Sequence, residues 1–245
     1  MAIELPTPDL ILPNGARMWT AETLPQGTPE WLQARSGVAT ASELDSLLVN
    51  PKDPKKAPFG LAAGAITYAH NVVAEIWQGG PVKTSFENEH TRRGHEMEAE
   101  FREQYEFMND TAVEEVGFVL AAGFGYSPDG FVGTDGLYEG KAPGAGKVIG
   151  FLRDPGFPKE YRAQCLGGLL ATGRVWIDLN AGFQDFPLCI RRLDRNDVTK
   201  ELDALADAIS RFNAYVADTL DFVRRIAGSQ YDGAAIIADL PIAAE

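Results

Sequence analysis

Apolar residues spaced three and four apart mark the helices of this chain. In the longest repeat, Leu202, Leu205, Ile209, Phe212, Val216, Leu220 and Val223 predict a helix over about 199–225, one face buried against the core or a partner chain. Met97, Phe101, Tyr105 and Met108 predict a second over 86–108. The apolar, Ala-rich run 61–77 carries no interior proline and ends at Gly79, Gly80 and Pro81, which predicts a largely buried helix. Thr28 as cap, Pro29 in the first turn and Glu30 at the positive end predict a short helix carrying Trp31 toward Arg35, stopped at Gly37. Thr40 and Ser42 begin another short run, with Leu44, Leu47 and Leu48 at helical spacing before Asn50 and Pro51. A further helix is expected over 159–172.

The pattern changes after Asp110. Between Val113 and Ala142, short apolar runs alternate with Gly, Pro and Asp, which reads as three or four short strands; two more are expected near 175–179 and 188–193. Residues 51–58 and the Gly/Pro stretch after Ala142 read as loops. Residues 1–27 read as an irregular arm, 28–225 as one domain and 226–245 as a tail. The fold class expected is α/β, with helices flanking a mixed central sheet.

Composition narrows the function. The 245 residues are 45% hydrophobic, enough for a full core, and carry a formal net charge of -13, so a polyanionic partner has to be met by a local patch. Two cysteines, Cys165 and Cys189, are too few for a disulfide scaffold, a four-thiolate zinc site or an iron–sulfur cluster. The first residues carry no signal-peptide pattern and no stretch reaches the length of a membrane span, so the expectation is a cytoplasmic protein with no membrane partner.

The stretch SPDGFVGTDGLYEGK, 127–141, carries the candidate chemistry. Side chains alternate along a strand, so Glu139 and Lys141 share one face, and Asp129 on the preceding strand can converge with them. Carboxylates at that spacing are hard oxygen ligands for Mg²⁺, and the ammonium can steer or deprotonate an attacking water, which is machinery for phosphodiester hydrolysis. The same residues would also make an ordinary surface hairpin with a Glu–Lys pair. Glu98 borders the apolar stripe of its helix, with Gly94 one turn before it; an exposed acid among other acids is the plainer reading. Tyr161 and Gln164, three apart, share a helix face. From Lys141 to Arg174, Lys141, Lys147, Arg153, Lys159, Arg162 and Arg174 outnumber Asp154 and Glu160, a segment that could receive a phosphate backbone.

Six motifs in order carry a family resemblance: GTPEWLQARSGVATASEL, RGHEMEAEFREQYE, GYSPDGFVG, LYEGKAP, EYRAQ and TGRVWIDL, from about Gly27 to Arg195. The sequence resembles the phage lambda-type exonucleases, or YqaJ-type viral recombinases, a branch of the PD-(D/E)XK nuclease superfamily. The resemblance implies that Glu98, Asp129 and Glu139 bind metal, Mg²⁺ with Mn²⁺ as substitute, aided by the Gly140 carbonyl, and that Lys141 assists the attacking water. It implies that Arg35, Ser42, Ser127 and Gln164 contact the 5'-terminal phosphate or the scissile region, with Tyr161 nearby. It further implies 5'-to-3' degradation of linear double-stranded DNA to mononucleotides by a homotrimeric ring, leaving 3' single strands for a single-strand annealing recombinase, in a phage- or prophage-bearing cell. The chain departs from the family at Gly140, where a bulkier aliphatic is usual, at Ala142, where Cys is common, and at Leu166, where a second Gln is common.

Two other readings remain at this level: an endonuclease on the same core, and a non-catalytic scaffold that binds DNA ends. The run GKAPGAGKV lacks the spacing and the final Ser or Thr of a nucleotide-binding loop, and His70, His90 and His95 lack paired zinc spacing with cysteine.

Overall fold

The computed structural model describes residues 4–82 and 89–227, the side chains of 89–96 excepted. The start expected for the 86–108 helix, the positions Gly94, His90 and His95 and the tail beyond 227 therefore lie outside the described residues or side chains. In chain order the elements are β1 (Leu10–Ile11), β2 (Arg17–Thr20), α1 (Pro29–Arg35), β3 (Ala39–Thr40), α2 (Asp45–Leu48), α3 (Ala63–Gln78), α4 (Glu89–Asn109), β4 (Val113–Glu114), β5 (Val116–Ala121), β6 (Phe124–Tyr126), β7 (Gly130–Val132), β8 (Gly136–Lys141), α5 (Ala145–Arg153), α6 (Lys159–Thr172), β9 (Trp176–Ala181), β10 (Cys189–Asp194) and α7 (Thr199–Ala227).

The α/β class expected from the sequence is the one found, with the strands divided between two mixed five-stranded sheets, ordered β1-β2-β5-β6-β3 and β10-β9-β8-β7-β4. Each sheet has one parallel pairing, β3 with β6 and β8 with β9. The segment Ser127–Pro128–Asp129 is the crossing from β6 in the first sheet to β7 in the second. Gln26 fastens that crossing, since its Nε2 donates to the Val116 carbonyl at 2.9 Å and to the Pro128 carbonyl at 2.8 Å.

The helices form for the reasons the pattern indicates. Thr28 Oγ1 accepts from the Trp31 amide at 3.2 Å, and Pro29 opens α1. Gly79 closes α3 in the left-handed region. The apolar face of α7 is buried against α2, α3 and α6 within this chain, which answers the choice between core and partner. In α6, a Cβ at Gly168 would stand 2.8 Å from the Tyr126 ring, so the glycine lets the helix close onto β6 despite a propensity cost of about 1 kcal/mol. Among the described residues no helix is long and apolar enough to cross a membrane. Cys165 and Cys189 are free and buried.

Three expectations need correction. Residues 10–20 are not irregular: β2 pairs with β5, roughly a hundred residues downstream, and the Asp9 carboxylate accepts from Thr20 N and Thr23 Oγ1, both at 2.8 Å. The 113–142 stretch holds five strands, β4 to β8, rather than three or four. The Gly/Pro loop after Ala142 contains α5, which buries Val148 and whose C-terminal carbonyls are met by Arg191 of β10, Nη2 donating to Phe151 O at 3.1 Å.

Candidate active site

Strand β8 sets the centre. Its pleat sends Glu139 and Lys141 to one face, where Lys141 Nζ donates to Glu139 Oε1 at 2.5 Å and lies 3.6 Å from Asp129 Oδ2. Asp129 is held by the same strand, because its Oδ2 accepts from the Gly140 amide at 2.8 Å. Glu139 is 0% exposed. It also accepts from Gln164 Nε2 on α6, at Oε1, and from the Tyr126 hydroxyl at Oε2, 3.0 Å away.

Burial, and then the neighbouring charge of Asp129, push the Glu139 carboxyl up to about 7, against the pull of Lys141. The Lys141 ammonium is held well above its ordinary value by Glu139, Asp129 and Glu98, which together outweigh its desolvation. Glu98 is thus part of the field at Lys141, and it also raises the hydroxyls of Tyr138 and Tyr161, both lifted chiefly by burial. Tyr161 lies edge-on to Phe151, ring centroids 6.1 Å apart.

A cavity of about 150 Å³ opens beside this centre, lined by Gln26, Trp31, Arg35, Ala41, Ser42, Tyr126, Ser127, Asp129 and Gln164. Arg35 lies over the Trp31 ring, 4.4 Å from its centroid, and donates from Nη1 to Ser127 Oγ at 2.6 Å. Desolvation lowers the guanidinium pKa from its ordinary value. Ser42 Oγ is 3.4 Å from Thr40 Oγ1. Arg35, Ser42, Ser127 and Gln164, which come from three separate motifs, therefore meet in one concavity that also takes in Asp129.

The donor set suits a divalent cation: Glu98, Asp129 and Glu139 are hard oxygen donors whose charges converge on one ammonium. Among the described residues no three His, Cys, Asp or Glu form a ready metal cluster. The Lys141 ammonium bridges Glu139 and Asp129.

Sequence reasoning missed Tyr126, Trp31 and Gln26. Tyr126 directly precedes Ser127, but in a strand of apolar residues it reads as core. Trp31 stands one helical turn before Arg35, the only hint of their stacking. Gln26 lies in the stretch taken as an arm. Within the basic segment over 141–174, three cations besides Lys141 have partners in the chain. Lys147 Nζ pairs with Glu160 at 2.8 Å, and Arg162 makes a two-pronged contact to Glu201 at 2.6 and 2.7 Å. Arg174 donates to the carbonyls of Gly133 and Gly136 and covers Phe131. A count of charges within the window could not include Glu201. Leu166, where the family commonly has a second Gln, is buried in the main core.

The likeness to solved proteins is extensive. The alkaline exonuclease LHK-Exo from Laribacter hongkongensis is 28% identical with a TM-score of 0.69, covering 82% of this chain and 98% of its own. Its complex with dAMP matches equally, at 28% identity and a TM-score of 0.69. A phage-related exonuclease from Haemophilus somnus 129PT shares the fold at 12% identity and a TM-score of 0.61, covering 76% of this chain and 96% of its own. No curated protein sequence matches. The model of the YqaJ-like viral recombinase domain matches residues 30–175, a span that holds every residue of the candidate site except Gln26, and the chain belongs to that family.

Proposed function

We propose that this protein is a phage-type exonuclease that degrades linear double-stranded DNA from the 5' end to mononucleotides and leaves 3' single strands for a single-strand annealing recombinase. The observation that carries the reading is the meeting of Arg35, Ser42, Ser127, Asp129 and Gln164 around one cavity, with Glu139 bonded to Gln164 and Lys141 beside Asp129. The 28% identical relative is an alkaline exonuclease, also known in complex with dAMP, which supports a nucleotide occupying this cavity. Family membership supports the recombination role, and a homotrimeric ring around DNA is part of the same proposal.

Each residue has a role that its surroundings allow. Arg35 uses Nη1 on Ser127 and retains further N–H donors for a terminal phosphate, a planar fork that suits phosphate oxygens. Ser42 and Ser127 add hydroxyls at the cavity wall. Lys141 supplies positive charge and N–H donors at the reacting phosphate, and Gln164 and Tyr126 keep Glu139 in one orientation. Glu98, Asp129, Glu139 and the Gly140 carbonyl are the groups that would hold Mg²⁺ or Mn²⁺, which when bound supplies charge neutralisation on the phosphoryl oxygens and a more acidic water. The carboxylates and the lysine alone do not dictate that an end is required, so Arg35 and its cavity are what favour an exonuclease over an endonuclease.

Direction of digestion tests this reading. A linear duplex labelled at its 5' ends should release labelled mononucleotide in the first turnovers, whereas release from 3'-labelled duplex should lag. Immediate release of the 3' label would overturn the polarity.

A further inference from the structure

The two faces of the β8–β9 pair carry different cargo. One face presents Glu139 and Lys141 toward α6. On the other face Tyr138, Gly140, Asp178 and Asn180 lie together, Tyr138 opposite Asp178 and Gly140 opposite Asn180, and this is the face on which α4 docks. Helix α4 brings Glu98 one turn before Phe101, so the depth and rotation of its docking decide where Glu98 stands relative to Lys141.

Asn180 sits at that contact. It is 0% exposed, and its Nδ2 donates to the Phe101 carbonyl of α4 and to the Tyr138 hydroxyl of β8, both at 3.0 Å. The carbonyl can only accept, which fixes the orientation of the amide. Its Oδ1 has no hydrogen-bond partner among the described residues. A buried amide oxygen left unpaired is destabilising, and an aliphatic side chain there would avoid it. What Asn180 contributes in exchange is the pair of donations that ties helix to strand. The Tyr138 ring completes the contact by covering Gly140: a Cβ at that glycine would stand 3.1 Å from the Tyr138 hydroxyl. The aromatic ring packs close over the glycine between Glu139 and Lys141, leaving little room for a side chain there.

We propose that Tyr138 and Asn180 are positioning residues, a strut that ties α4 to the strand carrying Glu139, Gly140 and Lys141 and so sets the place of Glu98 in the reaction centre. This rests on the nuclease reading above. Neither Tyr138 nor Asn180 lines the cavity, and the strut acts through Glu98 and the β8 backbone. A second tie between α4 and β9, Tyr105 Oη donating to Asp178 at 2.7 Å, lies a further turn away from Glu98 and supplies the control.

The test compares Asn180→Ala, Tyr138→Phe, the double variant and Tyr105→Phe with wild type, by steady-state digestion of linear duplex and by amide hydrogen exchange in buffer without metal. Asn180→Ala should lower kcat by about tenfold or more with KM for DNA ends little changed, because misplacing a reacting group by about 1 Å is enough for such a loss. Exchange should rise over 136–141 and 97–105. The double variant should be no worse than its more impaired parent, since both break one connection. Tyr105→Phe should lower thermal stability yet keep kcat. Unchanged kcat and exchange in Asn180→Ala overturn the proposal, as does a kcat loss in Tyr105→Phe as large as in Asn180→Ala. If Asn180→Ala does not fold, Tyr138→Phe decides by the same criteria. A wild type that digests no DNA overturns the nuclease reading alone, and the exchange comparison then decides whether the strut exists.

Discussion

The Tyr126 hydroxyl, on the last residue of β6 in the first sheet, donates to Glu139 Oε2 on β8 of the second sheet across 3.0 Å. This one bond spans the junction at which Ser127, Pro128 and Asp129 cross between the sheets. Both partners are fully buried, and burial together with the Glu139 charge holds the Tyr126 phenol well above its ordinary pKa, so it remains a donor at every working pH.

Tyr126→Phe removes that donor without changing the shape of the ring. Since a buried hydrogen bond to a charged group contributes about 1.5–3 kcal/mol, the variant should melt several degrees lower and lose about tenfold or more in kcat as Glu139 loosens. Differential scanning calorimetry and single-turnover digestion check both. A melting point and rate equal to wild type would mean that the inter-sheet bond is incidental.

Arg35→Lys keeps the charge and loses the fork. Preference for 5'-phosphorylated over 5'-hydroxyl duplex should fall by about tenfold, in line with the loss of a two-pronged phosphate contact, and the melting temperature should drop as the Ser127 bond and the Trp31 stacking weaken. Competition between the two substrates in one reaction measures the ratio directly.

The pH dependence of stability has a defined sign. Glu139 has a folded pKa of about 7 against an ordinary 4.5, so the folded chain binds its proton more tightly than the unfolded chain does. Its contribution is full below about 4.5 and is lost as pH rises through about 7. In chelator, the wild-type melting temperature should therefore decline across this window more steeply than that of Glu139→Gln. Parallel melting curves for the two proteins would contradict this.

Arg162 is committed to Glu201, a half-exposed pair of less than about 1 kcal/mol after solvent screening. Arg162→Gln should leave DNA affinity and its salt dependence unchanged, with a small drop in melting temperature. A phosphate contact would instead reduce the logarithmic salt slope by about one.

The legible and illegible parts of the fold divide by the distance of the interactions that make them. Helices α1, α3, α4 and α7 are signalled by local caps or by apolar repeats that their own residues supply, and the pleat of β8 alone brings Glu139 and Lys141 together. Strand β2 exists because it pairs with β5, and α5 because Arg191 meets its last carbonyls, and neither partner is near in sequence. The same holds at the site: Arg35 and Ser127 carry motif signatures, while Gln26 acts only through the Val116 and Pro128 carbonyls, which no local pattern encodes.

Phosphodiester hydrolysis at the cavity beside β8 is the central proposal. The most direct measurement is nucleotide release from 5'-phosphorylated linear duplex, with Mg²⁺ or with chelator, alongside covalently closed circular DNA and the Lys141→Ala protein. Digestion of the linear form alone is expected, abolished by chelator and by the substitution while Lys141→Ala still binds DNA. Digestion that survives Lys141→Ala, or cutting of the closed circle, would contradict it.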